Sequence, residues 1–304
     1  MRRYDSRGLF LRVLGSIFFL VGSAAYADDF TLPGGVLRVC SDPNNMPFSN
    51  EKGEGFENKI AELFAKKMGW KLETFYFPQR IGFVRNTLRF KLPGERFRCD
   101  LIMGIPASYD QASPTKPYFY SSYAIVMSNE NLTAGVHSQA EFLALPKSVL
   151  QPMKIGVQVQ SPGALWLMQN NLLDQAVPYP LLNADPQYYA GEIIERDLAS
   201  GKIDAALMWG PIAGFFSKRV VEKSLTVIPL YSTVGNQLEF GIAMGVRHED
   251  VAWKATIQYL IDENQADIFN ILRQYHVPSR APQKNQMLTG FLPTGKDANE
   301  IPSH

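Results

Sequence analysis

The sequence has few cysteines and histidines and few long apolar runs. Its 304 residues include only two cysteines, Cys40 and Cys99, and four histidines, none at metal-site spacing from another His or Cys. Beyond residue 27, no apolar run approaches the roughly 20 residues of a membrane-spanning helix. We therefore expect no metal site, no cofactor bound by this chain and no membrane span.

An excess of charge of one sign is also lacking. The chain has 30 Lys and Arg against 29 Asp and Glu, for a formal net charge of +1. We find no basic stripe of the kind that contacts phosphates, which disfavours nucleic acid and anionic membrane surfaces as partners. The expected partners are neutral molecules or other proteins.

The first 27 residues have the order of a secretory signal peptide. Four arginines precede an apolar run over 13–21, and the small-residue stretch Ser23–Ala27 follows. The apolar run is too short for a membrane anchor, which is the weaker alternative. We predict cleavage after Ala27 and a periplasmic location. Cleavage would lower the formal charge by three, to −2.

The 277 residues that remain after cleavage are enough for two lobes, since a chain of this length rarely folds around one hydrophobic core. Export to an oxidising compartment favours a disulfide between Cys40 and Cys99. The predicted strand register opposes it. If Cys40 ends one strand and Cys99 precedes a parallel neighbour, their Cα atoms lie beyond the bridging limit of about 7 Å. The two arguments leave the pairing open.

Strands alternate with helices in both halves of the chain, which predicts parallel sheets. A helix over 57–68 shows apolar residues at helical spacing and is ended by Gly69; a second, over 80–90, has Ile81, Val84 and Leu88 on one face. Further helices are predicted at 164–173, 250–262 and 265–275. The predicted strands are 36–40, 72–77, 101–105, 154–159 and 205–208, with extended crossing segments at 122–127 and 239–245.

These patterns predict four regions of the chain. They are a signal peptide (1–27), a first lobe (28–124 and 240–280), a second lobe (125–239) and a C-terminal tail (281–304). The tail is rich in Pro, Gly, Asn and Lys, and we expect it to wrap on the surface or to be partly disordered.

Polar residues follow the predicted strands, where ligands bind in parallel sheets. Asp42, Asn44 and Asn45 lie in one such loop, although these residue types also form turns through bonds to their own backbone. Gln79 and Arg80 follow the next strand. The planar guanidinium of Arg80 can donate paired hydrogen bonds to a carboxylate or carbonyl in the cleft, or it can form an ion pair at the surface. Ser161 and Gly163 open a helix whose free N–H groups suit an anion, as at most helix starts.

Six segments resemble the amino-acid-type periplasmic solute-binding proteins, in that family's order and over most of the chain. The resemblance implies an α/β, two-lobed Venus-flytrap fold of type II, each lobe a mostly parallel sheet flanked by helices, with the ligand between the lobes. The segments are LRVCSDPNNMPFS (37–49), GEGFENKIAELFAKKMGW (53–70), FRCDLIMGIPASYDQA (97–112), KIGVQVQSPG (154–163), SGKIDAALMWGPIAGFF (200–216) and EFGIAMGVR (239–247).

The same resemblance disfavours an amino-acid ligand. In that family an arginine at the position of Gln111 holds the ligand carboxylate, and an aspartate at the position of Trp209 receives the ammonium. A glutamine and an indole would leave both charges unpaired in the cleft. Trp209 is instead expected to form an aromatic cleft for an apolar or small neutral molecule, together with Phe48, Phe56 and Tyr118, unless these rings are core.

A narrower resemblance is to the J-type accessory proteins of quinoprotein methanol dehydrogenase clusters, MxaJ and XoxJ. It rests on SDPNNMPFSNEKGEGFENKIAE, PQRIGFVRNTL and CDLIMGIPASYD. It implies a periplasmic accessory or maturation role for a pyrroloquinoline-quinone-dependent alcohol dehydrogenase, with the apo or maturing enzyme as partner.

Two alternatives are weighed against this role. One is the receptor of an importer for a small neutral or apolar molecule. The other is a cleft enzyme of dehydratase type, with Asp42 or Glu57 as general acid or base. We predict no catalytic residue, because no nucleophile lies beside a base in a recognisable motif and neither carboxylate has a helper.

Overall fold

A computed structural model describes residues 35–129, 133–181, 185 and 188–280. All of them belong to one compact unit of the chain. The predicted signal peptide and C-terminal tail lie outside the described residues.

The elements before the first crossing strand follow the predicted alternation of strands and helices. They are β1 (Val36–Ser41), β2 (Asn44–Asn45), β3 (Ser49–Asn50), α1 (Phe56–Met68), β4 (Lys71–Tyr76), α2 (Phe83–Asn86), β5 (Leu101–Pro106) and β6 (Ser113–Pro114).

The middle of the chain adds a second set. It comprises β7 (Phe119–Ser128), α3 (Gln139–Leu143), α4 (Lys147–Leu150), β8 (Ile155–Gln158), α5 (Pro162–Gln169), a 3-10 helix (Leu173–Gln175), β9 (Ala176–Tyr179), a π-helix (Ile193–Leu198), β10 (Ala205–Trp209), α6 (Gly210–Ser217) and β11 (Leu225–Pro229). The chain ends its described part with β12 (Glu239–Val246), α7 (Val251–Glu263), α8 (Gln265–Gln274) and β13 (Ser279–Arg280).

Eleven strands of the described part form one sheet in the order β4-β1-β5-β12-β7-β10-β8-β9, with β6 on β12 and both β11 and β13 on β7. Pairing is parallel towards both ends of this order, where β1 lies between β4 and β5 and β8 lies between β9 and β10. Pairing is antiparallel in the middle. For description, lobe 1 is residues 35–124 and 240–280, and lobe 2 is residues 125–239.

The crossing strand β7 pairs with both halves of the sheet. Residues 119–122 pair with β12, and residues 123–128 pair with β10 and β11. The extended segments predicted at 122–127 and 239–245 are thus β7 and β12, which lie side by side. A sheet flanked by helices in each half, joined by two crossing strands, confirms the predicted fold class.

Lobe 2 is a sheet buried on both faces. Along β7, Ile125 and Met127 pack into one buried cluster while Ala124 and Val126 pack into another. Alternate side chains of a strand point to opposite faces, so a strand covered on both sides is apolar throughout. This explains the unbroken apolar run that predicts the strand.

Helix α1 ends where its sequence predicts and begins one residue earlier, at Phe56. The Asn58 side chain accepts a hydrogen bond from the Gly55 N–H at 3.1 Å, and Gly69 ends the helix in the left-handed conformation at φ 67°. Glycine takes this conformation without the steric cost of a Cβ.

The helix predicted over 80–90 is much shorter in the structure, where α2 covers only Phe83–Asn86. Helix α2 is one turn, and Ile81, which the prediction places on one face with Val84 and Leu88, is 89% exposed. Val84 and Leu88 are buried as expected. The helix begins only after Gly82 at φ 84°, and Thr87 ends it by donating its hydroxyl to the Phe83 carbonyl at 2.6 Å.

A disulfide joins Cys40 and Cys99, whose Cα atoms are 5.6 Å apart. The objection from strand register does not apply, because the two strands are staggered. Cys40, near the end of β1, pairs with Ile102, the second residue of β5, so Cys99 lies only three residues before the partner of Cys40. The chain before β5 bends so that Cys99 packs with Cys40, Val84 and Leu88 in one buried cluster.

A buried ion-pair network lies next to this disulfide. Asp100 accepts hydrogen bonds from Arg38 Nε at 2.7 Å and from Arg247 Nη2 at 2.7 Å, and all three residues are buried. Arg38 also donates to the Phe97 carbonyl, and Arg247 to the carbonyls of Leu88 and Cys99. The network ties β1 and the end of β12 to the segment that precedes β5.

Candidate functional site

A cavity of about 190 Å³ lies between the two lobes. Its lobe 1 wall is formed by the loops after β1 and β4, and its lobe 2 wall by the end of β8 and the chain after β9. The lining residues are Asp42, Pro43, Asn44, Asn45, Pro78, Gln79, Arg80, Gln158, Leu181, Tyr188, Tyr189 and Ala190. Five of the predicted site residues, Asp42, Asn44, Asn45, Gln79 and Arg80, meet here.

Asp42 holds the two loops of lobe 1 together. Its carboxylate accepts hydrogen bonds from the backbone N–H groups of Gln79 at 2.5 Å and of Asn44 at 2.8 Å. The Asn45 amide donates to the Gln79 side-chain oxygen at 3.1 Å. The turn chemistry weighed for Asp42 and Asn44 is therefore present, and it shapes the lobe 1 wall of the cavity.

Arg80 reaches across the cavity. Its guanidinium donates to the backbone carbonyl of Asp185 in lobe 2 at 3.5 Å. Since these residues are on different lobes, the contact links the two walls of the cleft.

The lobe 2 wall contains residues that sequence reasoning missed. Gln158 is the last residue of β8, and the rule that selected Asp42 at a strand end could have selected it. Tyr188 and Tyr189 lie in irregular chain before the π-helix, where no periodic pattern marks them. The Tyr189 hydroxyl donates to Glu195 at 2.7 Å, which fixes its ring at the cleft.

A second cavity of about 300 Å³ adjoins the first, because Asn44 and Tyr189 line both. Met46 and Glu54 of lobe 1 face Glu195, Phe215, Phe216 and Arg219 of lobe 2 across it. Met46 also packs against the lobe 2 core. The cleft is therefore a groove with a polar end and an aromatic end.

The aromatic cleft expected from the sequence is formed by other rings. Phe56 and Tyr118 were predicted to line it, but both are fully buried in lobe 1, where each ring packs on Phe119. Phe48 packs on Phe56 at 5.2 Å between ring centroids and lines neither cavity. These predictions fail because Phe56 is the first residue of α1 and Tyr118 leads into β7, positions that face the core.

Trp209 lies at the crossing strands. Its ring packs edge-on against Tyr123 at 5.5 Å and Phe240 at 5.8 Å, and it lines neither cavity. Helix α6 begins directly after it, at Gly210. Gln111 is exposed and accepts a hydrogen bond from the Tyr109 hydroxyl at 3.3 Å.

Ser161 and Gly163 have structural roles at the start of α5. The Ser161 hydroxyl donates to the Gln158 carbonyl at 2.7 Å and accepts from the Ala164 N–H, so it caps the helix. A Cβ at Gly163 would lie 2.2 Å from the side chain of Leu207, so the glycine allows α5 to approach β10. The predicted anion site is not supported by these contacts.

Glu57 carries the most perturbed carboxyl group near the cleft. Burial, reinforced by the negative charge of Asp42, raises the pKa of Glu57 to about 8. A Cβ at Gly104, which has φ 69°, would lie 2.3 Å from a Glu57 oxygen, so only glycine leaves room for this carboxyl against β5. Glu57 is 7% exposed and lines neither cavity.

The raised pKa of Glu57 predicts a pH-dependent stability. Above the unfolded value of about 4.5 the folded state retains a proton that the unfolded chain has lost, so stability falls by about 1.4 kcal/mol per pH unit until about pH 8. Glu57→Gln should remove this component, and its stability relative to wild type should rise over that range. Denaturant unfolding at several pH values measures it. The control is Glu62→Gln, which changes an exposed carboxylate on the same helix. A difference in unfolding free energy between Glu57→Gln and wild type that stays constant with pH would refute the prediction.

No group of three or more His, Cys, Asp or Glu side chains is placed to hold a metal ion within the described residues. No helix in the described ranges is long and apolar enough to cross a membrane.

Two lobes that meet at the ends of their parallel strands, joined by crossing strands with a cleft between them, define a periplasmic binding protein. A solved structure of MxaJ from Methlophaga aminisulfidivorans MPT, 21% identical, shares this fold with a TM-score of 0.66 over 80% of this chain and 100% of that one. No protein-family model matches the chain.

Greater identity is found with another solved structure, the periplasmic binding protein XoxJ from Methylobacterium extorquens AM1. It is 35% identical, with a TM-score of 0.64 over 81% of this chain and 100% of that one. Protein MoxJ of Methylorubrum extorquens AM1 is 26% identical over 261 residues, 80% of this chain and 81% of MoxJ. The chain belongs to the XoxJ family of periplasmic binding proteins, as its sequence motifs predict.

Proposed function

We propose that this chain is a periplasmic accessory protein that assists maturation of a pyrroloquinoline-quinone-dependent methanol dehydrogenase by binding the enzyme or a segment of it. In this proposal the chain has no catalytic role, holds no cofactor of its own, and is exported by a signal peptide at residues 1–27. Family membership supports it, together with the resemblance of its motifs to J-type proteins of methanol dehydrogenase clusters.

The observation that carries this proposal is the shape and lining of the cleft. By the resemblance, Gln111 and Trp209 stand where amino-acid binders place their charged anchors, and neither lines either of the two cavities described above. The groove instead continues from a polar end, which includes Asp42 and Arg80, to Met46, Phe215 and Phe216. Three charged residues also line this second end: Glu54, Glu195 and Arg219. A polar end followed by an aromatic end suits an extended polypeptide segment, whose backbone and side chains need both kinds of contact.

The proposal predicts that a charge at the cleft wall weakens dehydrogenase binding. Leu181 lines the polar end and is 43% exposed, so Leu181→Glu should fold normally but force a carboxylate to lose water on binding. We expect affinity for purified apo-dehydrogenase to fall about tenfold or more. Leu173→Glu, at a leucine of lobe 2 that lines neither cavity, is the matched control. Surface-immobilised binding measurements with apo and holo enzyme decide; no binding of wild type to either form would overturn the proposal.

A second candidate is an importer receptor for a small neutral molecule. Neutral polar side chains from both lobes, including Asn45, Gln79 and Gln158, converge on the first cavity. Its 190 Å³ lies below the roughly 300–1,000 Å³ of common ligand pockets, so the ligand would have to be small. A rise in melting temperature with one alcohol or small amide, without dehydrogenase binding, would favour this candidate.

A further inference from the structure

The segment between β4 and β5 concentrates positive charge that the balanced composition conceals. Residues 80–98 contain six basic residues, Arg80, Arg85, Arg89, Lys91, Arg96 and Arg98, and one acidic residue, Glu95. This segment has a net charge of +5, while the whole chain has +1. The expectation that the chain has no basic stripe is therefore wrong, because the remaining residues are acidic overall and offset it.

All six basic residues are exposed, and two of them, Lys91 and Arg98, lie over aromatic rings. The Arg98 guanidinium lies 4.5 Å from the ring centroids of both Phe75 and Phe90, and Lys91 Nζ lies 4.6 Å from that of Phe97. Such contacts hold a cation in position without neutralising its charge. We call the surface of these six residues the basic face.

Arg85 and Arg89 form no ion pair with any acidic residue that the structure describes. Arg96 lies 3.6 Å from Glu73, an exposed carboxylate. Most of the positive charge on the basic face is thus available to a partner.

Buried residues hold the backbone of the basic face in place. Phe83, Val84 and Leu88 fix α2 and the following turn in the core that also contains the disulfide. Arg247 donates to the Leu88 carbonyl at 3.2 Å, and Arg38 to the Phe97 carbonyl at 3.0 Å. The charged groups therefore project from a fixed backbone, which lowers the entropy lost on binding.

The basic face also meets the cleft. Arg80, its first residue, lines the cavity between the lobes, and Ile81, 89% exposed, follows directly. Leu92 adds a second exposed apolar side chain among the charges. A partner that enters the cleft from lobe 1 would contact the basic face at the same time.

We infer that the basic face docks an acidic surface of a protein partner, and, resting on the proposed function, that this partner is the dehydrogenase. Guanidinium groups that project from a fixed backbone can pair with carboxylates through two hydrogen bonds, and exposed apolar side chains add contact area at protein interfaces. A membrane surface is less well matched, since lipid headgroups attract mobile polybasic segments that need no fixed arrangement.

The test compares charge reversal on the basic face with an equal reversal elsewhere. The Arg85→Glu/Arg89→Glu variant should bind purified methanol dehydrogenase at least about tenfold more weakly at low ionic strength, mainly through a slower association rate. Added salt should weaken wild-type binding and narrow the difference. The control is Lys147→Glu/Lys218→Glu, which changes net charge equally at two exposed lysines of lobe 2.

Each outcome has a distinct meaning. Loss of affinity in the Arg85/Arg89 variant alone supports docking on the basic face. Equal affinity of both variants and wild type, or an equal loss in both variants, overturns it while leaving the proposed function standing. Absence of wild-type binding overturns the proposed function and this inference with it. Unchanged dehydrogenase binding with loss of binding to phosphatidylglycerol vesicles would assign the face to a membrane and overturn docking on protein.

Discussion

Replacing Asp100 with alanine is expected to lower the free energy of unfolding by about 3 to 5 kcal/mol. The Asp100 carboxylate is the shared partner of the Arg38 and Arg247 guanidinium groups, at 2.6–2.7 Å. Both arginines are buried, and among the described residues its removal leaves Arg38 without a carboxylate partner and Arg247 with Asp250 alone. A buried cation that loses its counter-ion keeps the cost of its lost hydration without the compensating attraction.

The measurement is equilibrium unfolding by denaturant, with the disulfide intact. Asp267→Ala is the matched control, because its ion pair with Lys67 is about half exposed and should contribute no more than about 1 kcal/mol. If the two aspartate variants lose similar stability, the buried network stabilises lobe 1 no more than an exposed ion pair does.

Removing the disulfide is expected to destabilise the fold by about 4 kcal/mol. Cys40 and Cys99 are 59 residues apart, and their bond closes a loop that restricts the unfolded chain. The Cys40→Ala/Cys99→Ala variant should therefore unfold at lower denaturant concentration than oxidised wild type. Reductant should lower wild-type stability to nearly the level of the variant.

The variant provides its own control, since a chain without cysteines should not respond to reductant. An unchanged unfolding midpoint for reduced wild type would contradict the prediction. A response of the variant to reductant would show that the reagent acts on something other than this bond.

Both changes remove buried contacts that hold the backbone of the basic face. Asp100 and Cys99 are neighbours, and the loop closed by the disulfide contains the cleft residues Asp42 and Arg80 as well as residues 80–98. Loss of either support should therefore weaken dehydrogenase binding through disorder of the face, whereas Arg85→Glu/Arg89→Glu should weaken it with stability preserved. Measuring both stability and affinity for each variant separates the two effects.

The sequence by itself determined the elements whose signals are local. Strands β1, β5, β8 and β10 follow from short apolar runs, and α1 follows from helical spacing that Gly69 ends. Ligands bind beyond the carboxyl ends of parallel strands, which share one edge of a sheet. This rule selected five residues that line one cavity: Asp42, Asn44, Asn45, Gln79 and Arg80. Six basic residues in one segment were also readable, yet averaging charge over the whole chain concealed them.

Only the tertiary structure decided which side chains meet across the cleft. Tyr188, Tyr189, Phe215 and Phe216 line it, whereas Phe56 and Tyr118 do not, because the packing of α1 on β7 determines which rings are buried. The bond between Cys40 and Cys99 depends on the stagger of β1 against β5, which pairs Cys40 with Ile102 and which the sequence pattern does not specify. Local periodicity specifies an element and its faces, but contacts between residues distant in sequence depend on how the elements pack together.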